Sequence, residues 1–429
     1  MIPPPIFRPG PHSMRAEPGK VTLRSGVVLT KDKYGYPIRP DLALAYAIDH
    51  AIPGDVIGCS GTQTAHIGRG DPNKATSALW ANGAVIRDVT LVSLDPANRG
   101  RVSVSFDGDV TKPGQGGVDN FTLSGVDLMA RFFANGPGTQ DDNSEKTALL
   151  VYRGSTHGLI RVQDFTAYAE NPSSFGGYGM MWGCRGHGWA QWDVRKGKCK
   201  KAQEHFWYFD APQGDSYFID LEQIEPSGRT CLQVDERKSA WGYGGTGYTG
   251  ITRPSLGGLL YRNVRAWTDS GGGGSAFTIA GHSGGPVILE NVSVKGDLGA
   301  VAVWADWPKG CYLTPDGKIV PQFVLNGFRS DAQLDDRSLV AIKGCSQVDI
   351  YLDTKPDGSP ESEIRTNRIG IDLDNSYGGP INNGKVNLYA AGRASQYAGW
   401  KAGVKLKRFG TTYSDLQIDA LNVATPGVP

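Results

Sequence analysis

The sequence predicts an all-β chain wound as a right-handed, single-stranded parallel β-helix, a solenoid whose open end is covered by a short N-terminal capping helix. Three observations predict it. A six-residue phrase returns along the chain; glycine, 59 of 429 residues, stands at about twice its usual share and is spread over the whole length; and one helical apolar pattern sits just before the series begins.

The phrase reads apolar, any residue, Asp/Asn/Gly/Gln, apolar, any residue, usually apolar. It appears as Ile86-Arg-Asp-Val-Thr-Leu91, Leu123-Ser-Gly-Val-Asp-Leu128, Val162-Gln-Asp-Phe-Thr-Ala167 and Trp189-Ala-Gln-Trp-Asp-Val194. It continues as Tyr261-Arg-Asn-Val-Arg-Ala266, Leu289-Glu-Asn-Val-Ser-Val294, Leu325-Asn-Gly-Phe-Arg-Ser330 and Cys345-Ser-Gln-Val-Asp-Ile350, with a weaker copy in Phe218-Ile-Asp-Leu-Glu-Gln223. Each copy is a short strand, a bend at a residue that tolerates left-handed φ, and a second strand whose alternate side chains point inward. Copies start roughly 20 to 45 residues apart, the length of one solenoid turn with its loops. A β-sandwich or propeller is the alternative, but a sandwich would show more even spacing and two-residue Asn-Gly or Asp-Gly hairpins.

The helical pattern is Asp41-Leu-Ala-Leu-Ala-Tyr-Ala-Ile-Asp-His-Ala51, followed by Pro53-Gly-Asp-Val-Ile57. An amphipathic helix there covers the first turn, as terminal repeats of solenoids must. This opening, followed by the repeated phrase, resembles the start of the pectate-lyase-like right-handed β-helix proteins. The resemblance covers about residues 40 to 400 and is one of fold and phrase. It implies the architecture, and it spans lyases, glycoside hydrolases, bacteriophage tailspikes and non-catalytic structural proteins. The expected organisation is a Pro-rich arm and first strand over 1–39, a parallel β-helix over 40–404 and a C-terminal segment over 405–429.

Charge and composition narrow the partners. Lys+Arg 44 against Asp+Glu 43 leaves a net charge of +1, too little long-range field to make nucleic acid or an anionic membrane the expected partner. No run of about 18 apolar residues is present for a membrane span. The first residues show neither an apolar signal core nor a small-residue cleavage site, so an exported form would be one already trimmed. Cys59, Cys184, Cys199, Cys231, Cys311 and Cys345 are far apart and form no CxxC or Cys/His ligand pattern. They read as buried thiols, with a Cys184–Cys199 disulfide as the alternative, and no metal or cofactor is called for. Residues 1 to 20 hold six prolines, and Val21 to Leu29 reads as a strand. An arm of this kind is expected to dock on a second copy or on another assembly protein.

The densest polar cluster lies between Cys184 and Trp241. A polysaccharide lyase needs a base, an acid and a cation that neutralises a uronate, for which Tyr208 or His205 and Arg229, Arg237 or Lys238 are candidates. A glycosidase needs two carboxylates about 5 to 10 Å apart, drawn from Asp210, Asp215, Glu222 and Asp235. The catalytic candidates are thus His205, Tyr208, Arg229, Asp215, Glu222 and Lys238, with solvated ladders of polar side chains as the plain alternative. Sugar contact is expected from Trp207, Arg237, Trp241, Tyr243 and Tyr248, because flat rings stack on sugar C–H groups and the loop from Ala240 to Gly250 is too glycine-rich to pack as a strand. Gly271–Ser275 lacks the Lys-Ser/Thr of a phosphate loop, and His282-Ser-Gly-Gly-Pro286 lacks a nucleophile elbow. Two functions stay open. The favoured one is a virion or cell-surface structural protein, such as a bacteriophage spike, fibre or capsid accessory protein, that presents a β-helix to a glycan. The other is a polysaccharide lyase or glycoside hydrolase.

Overall fold

The computed structural model describes residues 1–68, 86–107, 118–129, 147–152, 156–169, 178–183, 191–202, 207–209, 215–224, 232–235, 258–268, 275–280, 286–296, 299–304, 322–327, 329–330, 340–343, 347–351, 363–364, 371–374, 385–389, 406–409 and 415–418. Among these residues there are thirty strands and one helix, Ala43–Asp49, and the strand pairing is mainly parallel. Contacts divide the chain into two compact units. One is built chiefly from Ile2–Trp207, the other from Met1, Tyr208–Trp241 and Thr252–Pro429.

In the first unit the strands stack in columns. Met14–Glu17 lies parallel to Val56–Cys59, which lies parallel to Ile86–Ser93, and Val118–Ser124, Thr156–Ala169 and Gln191–Ala202 follow in the same sense. The register brings Ile57, Leu91, Leu123, Val162 and Val194 into one inward row, and Val89, Phe121, Ile160 and Trp192 into another. All nine are buried. A buried aliphatic or aromatic side chain of this size contributes about 1.5 to 3 kcal/mol, so the repeated apolar positions are what fix the stack. A further column runs from Thr62–Gly68 through Arg101–Asp107, Thr147–Tyr152 and Tyr178–Gly183. Cys59 and Cys199 are buried thiols in this core, and burial pushes the Cys59 thiol up to about 12.

The second unit repeats the arrangement. Ser216–Gln223, Leu259–Thr268, Val287–Glu290, Gln322–Asn326, Gln347–Tyr351, Lys385–Tyr389 and Asp415–Ile418 pair in parallel in that order. Strands therefore continue into the expected C-terminal segment as far as Ile418. Phe218 stacks on Tyr261 with ring centroids 4.9 Å apart and planes 13° apart, close to the spacing of neighbouring strands. Tyr261 meets Phe277 edge-on at 5.5 Å. The Met1 side chain packs beside Tyr217, Leu260 and Ile288, against Gly258, where an added Cβ would come within 2.5 Å of its sulfur.

The bends fall where left-handed φ is tolerated. Asp88, Asn120, Asp164, Asp220, Asn263 and Asn291 all have φ between 50° and 56°, and Gly125, Gly158 and Gly327 share the left-handed region. Side chains tie successive bends together. Asn120 Nδ2 donates to Asp88 Oδ1 (2.9 Å, 32 residues away), and Leu159 N donates to Asn120 Oδ1 (2.8 Å, 39 residues away). Asn263 Nδ2 donates to Asp220 Oδ1 (2.8 Å, 43 residues away), and Asn291 Nδ2 to Asn263 Oδ1 (2.7 Å, 28 residues away). Gly158 must be glycine: its φ is +83°, and a Cβ would sit 2.1 Å from the Asn120 oxygen that caps Leu159.

Two sequence expectations are corrected. Val21 to Leu29 is not one strand but two antiparallel pieces, Lys20–Thr22 and Val28–Leu29, because Gly26 (φ +85°) turns the chain back. The phrase copies at Trp189 and Cys345 are out of register with the bends: Gln191 pairs with Leu159 and Gln347 with Gln322, each ahead of its neighbour's bend, and beside the first the left-handed residue is Lys196, at φ 52°. The helix forms inside the stretch read for it, with Ala43, Leu44, Ala45, Ala47 and Ile48 buried. It contacts Thr62–Gly68, the first strand of its column, and also Met14–Glu17, Lys20–Thr22 and Val56–Cys59. No helix among the described residues is long and apolar enough to cross a membrane.

Candidate functional site

The residues singled out from sequence divide sharply. His205, Arg229, Arg237, Lys238, Trp241, Tyr243 and Tyr248 lie outside the described residues, as do Asp210 and the loop from Ala240 to Gly250. Trp207 and Tyr208 belong to the short strand Trp207–Phe209. Asp215 and Glu222 can be placed. Asp215 Oδ1 accepts the N–H of Gly258 at 2.8 Å and so aligns the start of the next strand, while the Tyr217 hydroxyl donates to its other oxygen at 3.4 Å. Glu222 faces solvent across from Arg265, at 3.4 Å. The two carboxylates stand near opposite ends of one bent strand, roughly 15 to 20 Å apart at 3.3 Å per residue. They therefore do not make a glycosidase pair with each other.

The described surface with most chemistry lies in the first unit, on the strand Gln191–Ala202 and its neighbour Thr156–Ala169. Past the bend at Lys196 the chain alternates: Gly197 and Cys199 point in, and Lys196, Lys198 and Lys200 point out and are exposed. The three ammonium groups are thus carried at intervals of about 7 Å along the strand. On the neighbour, Phe165 and Ala167 are buried, and Thr166 lies opposite Lys198. A register shift after Ala167 places Tyr168 opposite Lys201. Its ring is flanked by two cations, the Arg101 guanidinium at 5.5 Å and the Lys200 ammonium at 5.9 Å from the centroid.

The acids on this face are already engaged. Arg99 donates to Asp164 Oδ1 at 2.8 Å and to the Asp164 carbonyl at 2.9 Å, and it lies 3.8 Å from Asp127. Asp127 Oδ1 also accepts the N–H of Thr166 at 3.0 Å. No carboxylate pairs with Arg101, Lys196, Lys198 or Lys200 among the described residues. The result is a cationic strip with one aromatic ring set between two positive charges. Ammonium and guanidinium groups attract anionic substituents, and the ring offers a flat apolar surface to C–H groups.

Sequence reading did not single out this strip. The available signal was Arg195-Lys-Gly-Lys-Cys-Lys-Lys201, in which lysines alternate with small residues. Nothing local joins it to Tyr168 or Arg101, which come beside it only through strand stacking. Comparison with known proteins adds nothing to the geometry. No family model, no curated protein and no solved structure matches the chain.

Proposed function

We propose that the stacked strands are turns of a right-handed parallel β-helix, and that the protein is a virion or cell-surface structural component that binds an acidic glycan through the strip around Tyr168. The β-helix reading is supported by the in-register return of equivalent residues every 28 to 43 positions and by the left-handed bends tied in ladders. One observation carries the glycan reading: the Tyr168 ring stands between Arg101 and Lys200, in line with lysines that have no acidic partner among the described residues. A polymer with a carboxylate, sulfate or phosphate on successive sugars would meet one cation after another. Each contact is weak and screened in water, but linked contacts multiply. A ring between cations also favours a sugar whose C–H face and acid group lie side by side.

Binding to a panel of immobilised acidic and neutral polysaccharides tests this. The full chain is expected to retain acidic polymers, to lose them steeply with added salt, and to bind at least tenfold more weakly as Lys196→Glu/Lys198→Glu/Lys200→Glu. Tyr168→Ala is expected to weaken binding with little change in salt dependence. Equal retention of neutral polymers, or indifference to the triple substitution, would overturn the assignment of the strip. Release of unsaturated or reducing ends that disappears in His205→Ala with Tyr208→Phe would replace attachment by catalysis.

A further inference from the structure

The N-terminal arm occupies a built socket. In the first unit, Arg195 Nη2 donates to the Pro4 carbonyl at 2.6 Å and Gln163 Nε2 donates to the Phe7 carbonyl at 2.7 Å. The Arg161 guanidinium lies 5.0 Å from the centre of the Phe7 ring. These groups are held from behind. Asp193, 1% exposed, accepts from Arg161 Nε at 3.1 Å and from Arg195 Nε, while Gln163 Nε2 also reaches Ser124 Oγ at 3.0 Å. The socket thus offers two fixed donors to carbonyls three residues apart. Three residues are one turn of the extended helix that proline-rich chains adopt, and proline has a carbonyl acceptor but no competing N–H.

We propose that this socket is an exchangeable docking site, taken by residues 2–9 of a second copy as well as by the chain's own arm. Four features carry the proposal. Seating an arm trades water at Arg195 and Gln163 for two short carbonyl hydrogen bonds, one of them from a charged donor, so a filled socket is favoured over an empty one. An arm from another copy makes the same contacts as the chain's own, so exchange costs no contact energy. The connection from Arg8 to His12 contains Pro9 and Pro11 around Gly10, where an added Cβ would meet nothing within 4 Å. Prolines hold such a hinge extended and reduce the freedom the arm gains on release, and an extended hinge points the arm outward. Finally, Ile2 is 90% exposed and Ile6 54% on the seated arm, leaving apolar surface for a neighbouring copy to cover.

A complementation experiment tests exchange. One chain lacks residues 2–9 and keeps its socket; the other keeps its arm and carries Gln163→Ala with Arg195→Ala. Light scattering after chromatography is expected to find each alone as a monomer and an equal mixture as a one-to-one complex, with the parent's dimer fraction rising with concentration. Absence of a mixed complex between variants that circular dichroism shows folded overturns the proposal. Should either variant fail to fold, the full chain with Pro9→Gly and Pro11→Gly serves instead. A dimer fraction at least tenfold lower than the parent's supports exchange, and an unchanged one overturns it.

Discussion

Asp55 is only 4% exposed and yet is held as a carboxylate, because four donors meet it. Arg24 reaches it through Nε at 2.9 Å and Nη2 at 2.5 Å, Ser13 Oγ at 2.8 Å, and the Ile52 N–H at 2.8 Å. The hydrogen bond from Arg24 is the largest influence holding its pKa below the ordinary aspartate value, opposed by burial and aided by Ile52 and Ser13. The sign for stability follows. A depressed folded pKa contributes stability that is present above the unfolded value, near 4, and is lost as pH falls through the folded value. Asp55→Asn is expected to cost about 2 kcal/mol at pH 7, and denaturant melts should show that difference shrinking as the pH is taken below the ordinary aspartate value. A gap of equal size at both pH values would mean that shape rather than charge makes Asp55 necessary.

At the scale of the element, the bends combine a backbone requirement with a side-chain bond. Asn263 sits at φ 56°, donates to Asp220 and accepts from Asn291. Replacing it with alanine removes two hydrogen bonds and leaves a Cβ in the left-handed region, for a loss of about 3 kcal/mol. Asn263→Gly loses the bonds but suits the backbone, so urea melts are expected to place it between the parent and the alanine variant. Equal losses would assign the effect to the bonds alone. The phrase that revealed these bends was legible because its third residue must accept positive φ, and seven of the nine copies read from the sequence bend there. It failed at Trp189 and Cys345, since apolar alternation runs on both sides of every bend and the same six positions fit two windows. Val118-Asp-Asn-Phe-Thr-Leu123, which bends at Asn120, was overlooked for the same reason. The Lys196–Lys200 strip was legible only as alternation. Its partners Tyr168 and Arg101 are brought in by stacking between strands tens of residues apart, which no local pattern records.

For the whole molecule, the proposed β-helix makes one turn a removable unit. Asn263 and Asn291 occupy equivalent bends 28 residues apart, with Val264 and Val292 following them. Deleting residues 264–291 therefore joins one bend to the equivalent continuation of the next and keeps every later strand in register. The shortened chain is expected to keep its far-ultraviolet β signature and melt cooperatively, whereas deleting 264–277, half that length, throws inward residues to the outside and should abolish folding. A folded half-turn deletion would sink the solenoid reading. The same additivity bears on the helix Ala43–Asp49. A stack of parallel strands ends in a row of unsatisfied N–H and C=O groups, ready to template the strands of another molecule. The helix lies against Thr62–Gly68, the first strand of its column, with its Leu44 N–H taken by the buried Gln63 side chain at 3.2 Å, while Lys20–Thr22 pairs antiparallel with Met14–Glu17 at the head of the other. Helix and antiparallel strand together act as a chain terminator in the polymer chemist's sense: a stack that could grow end to end into a fibre is closed at this end, and growth there is set by the gene rather than by concentration.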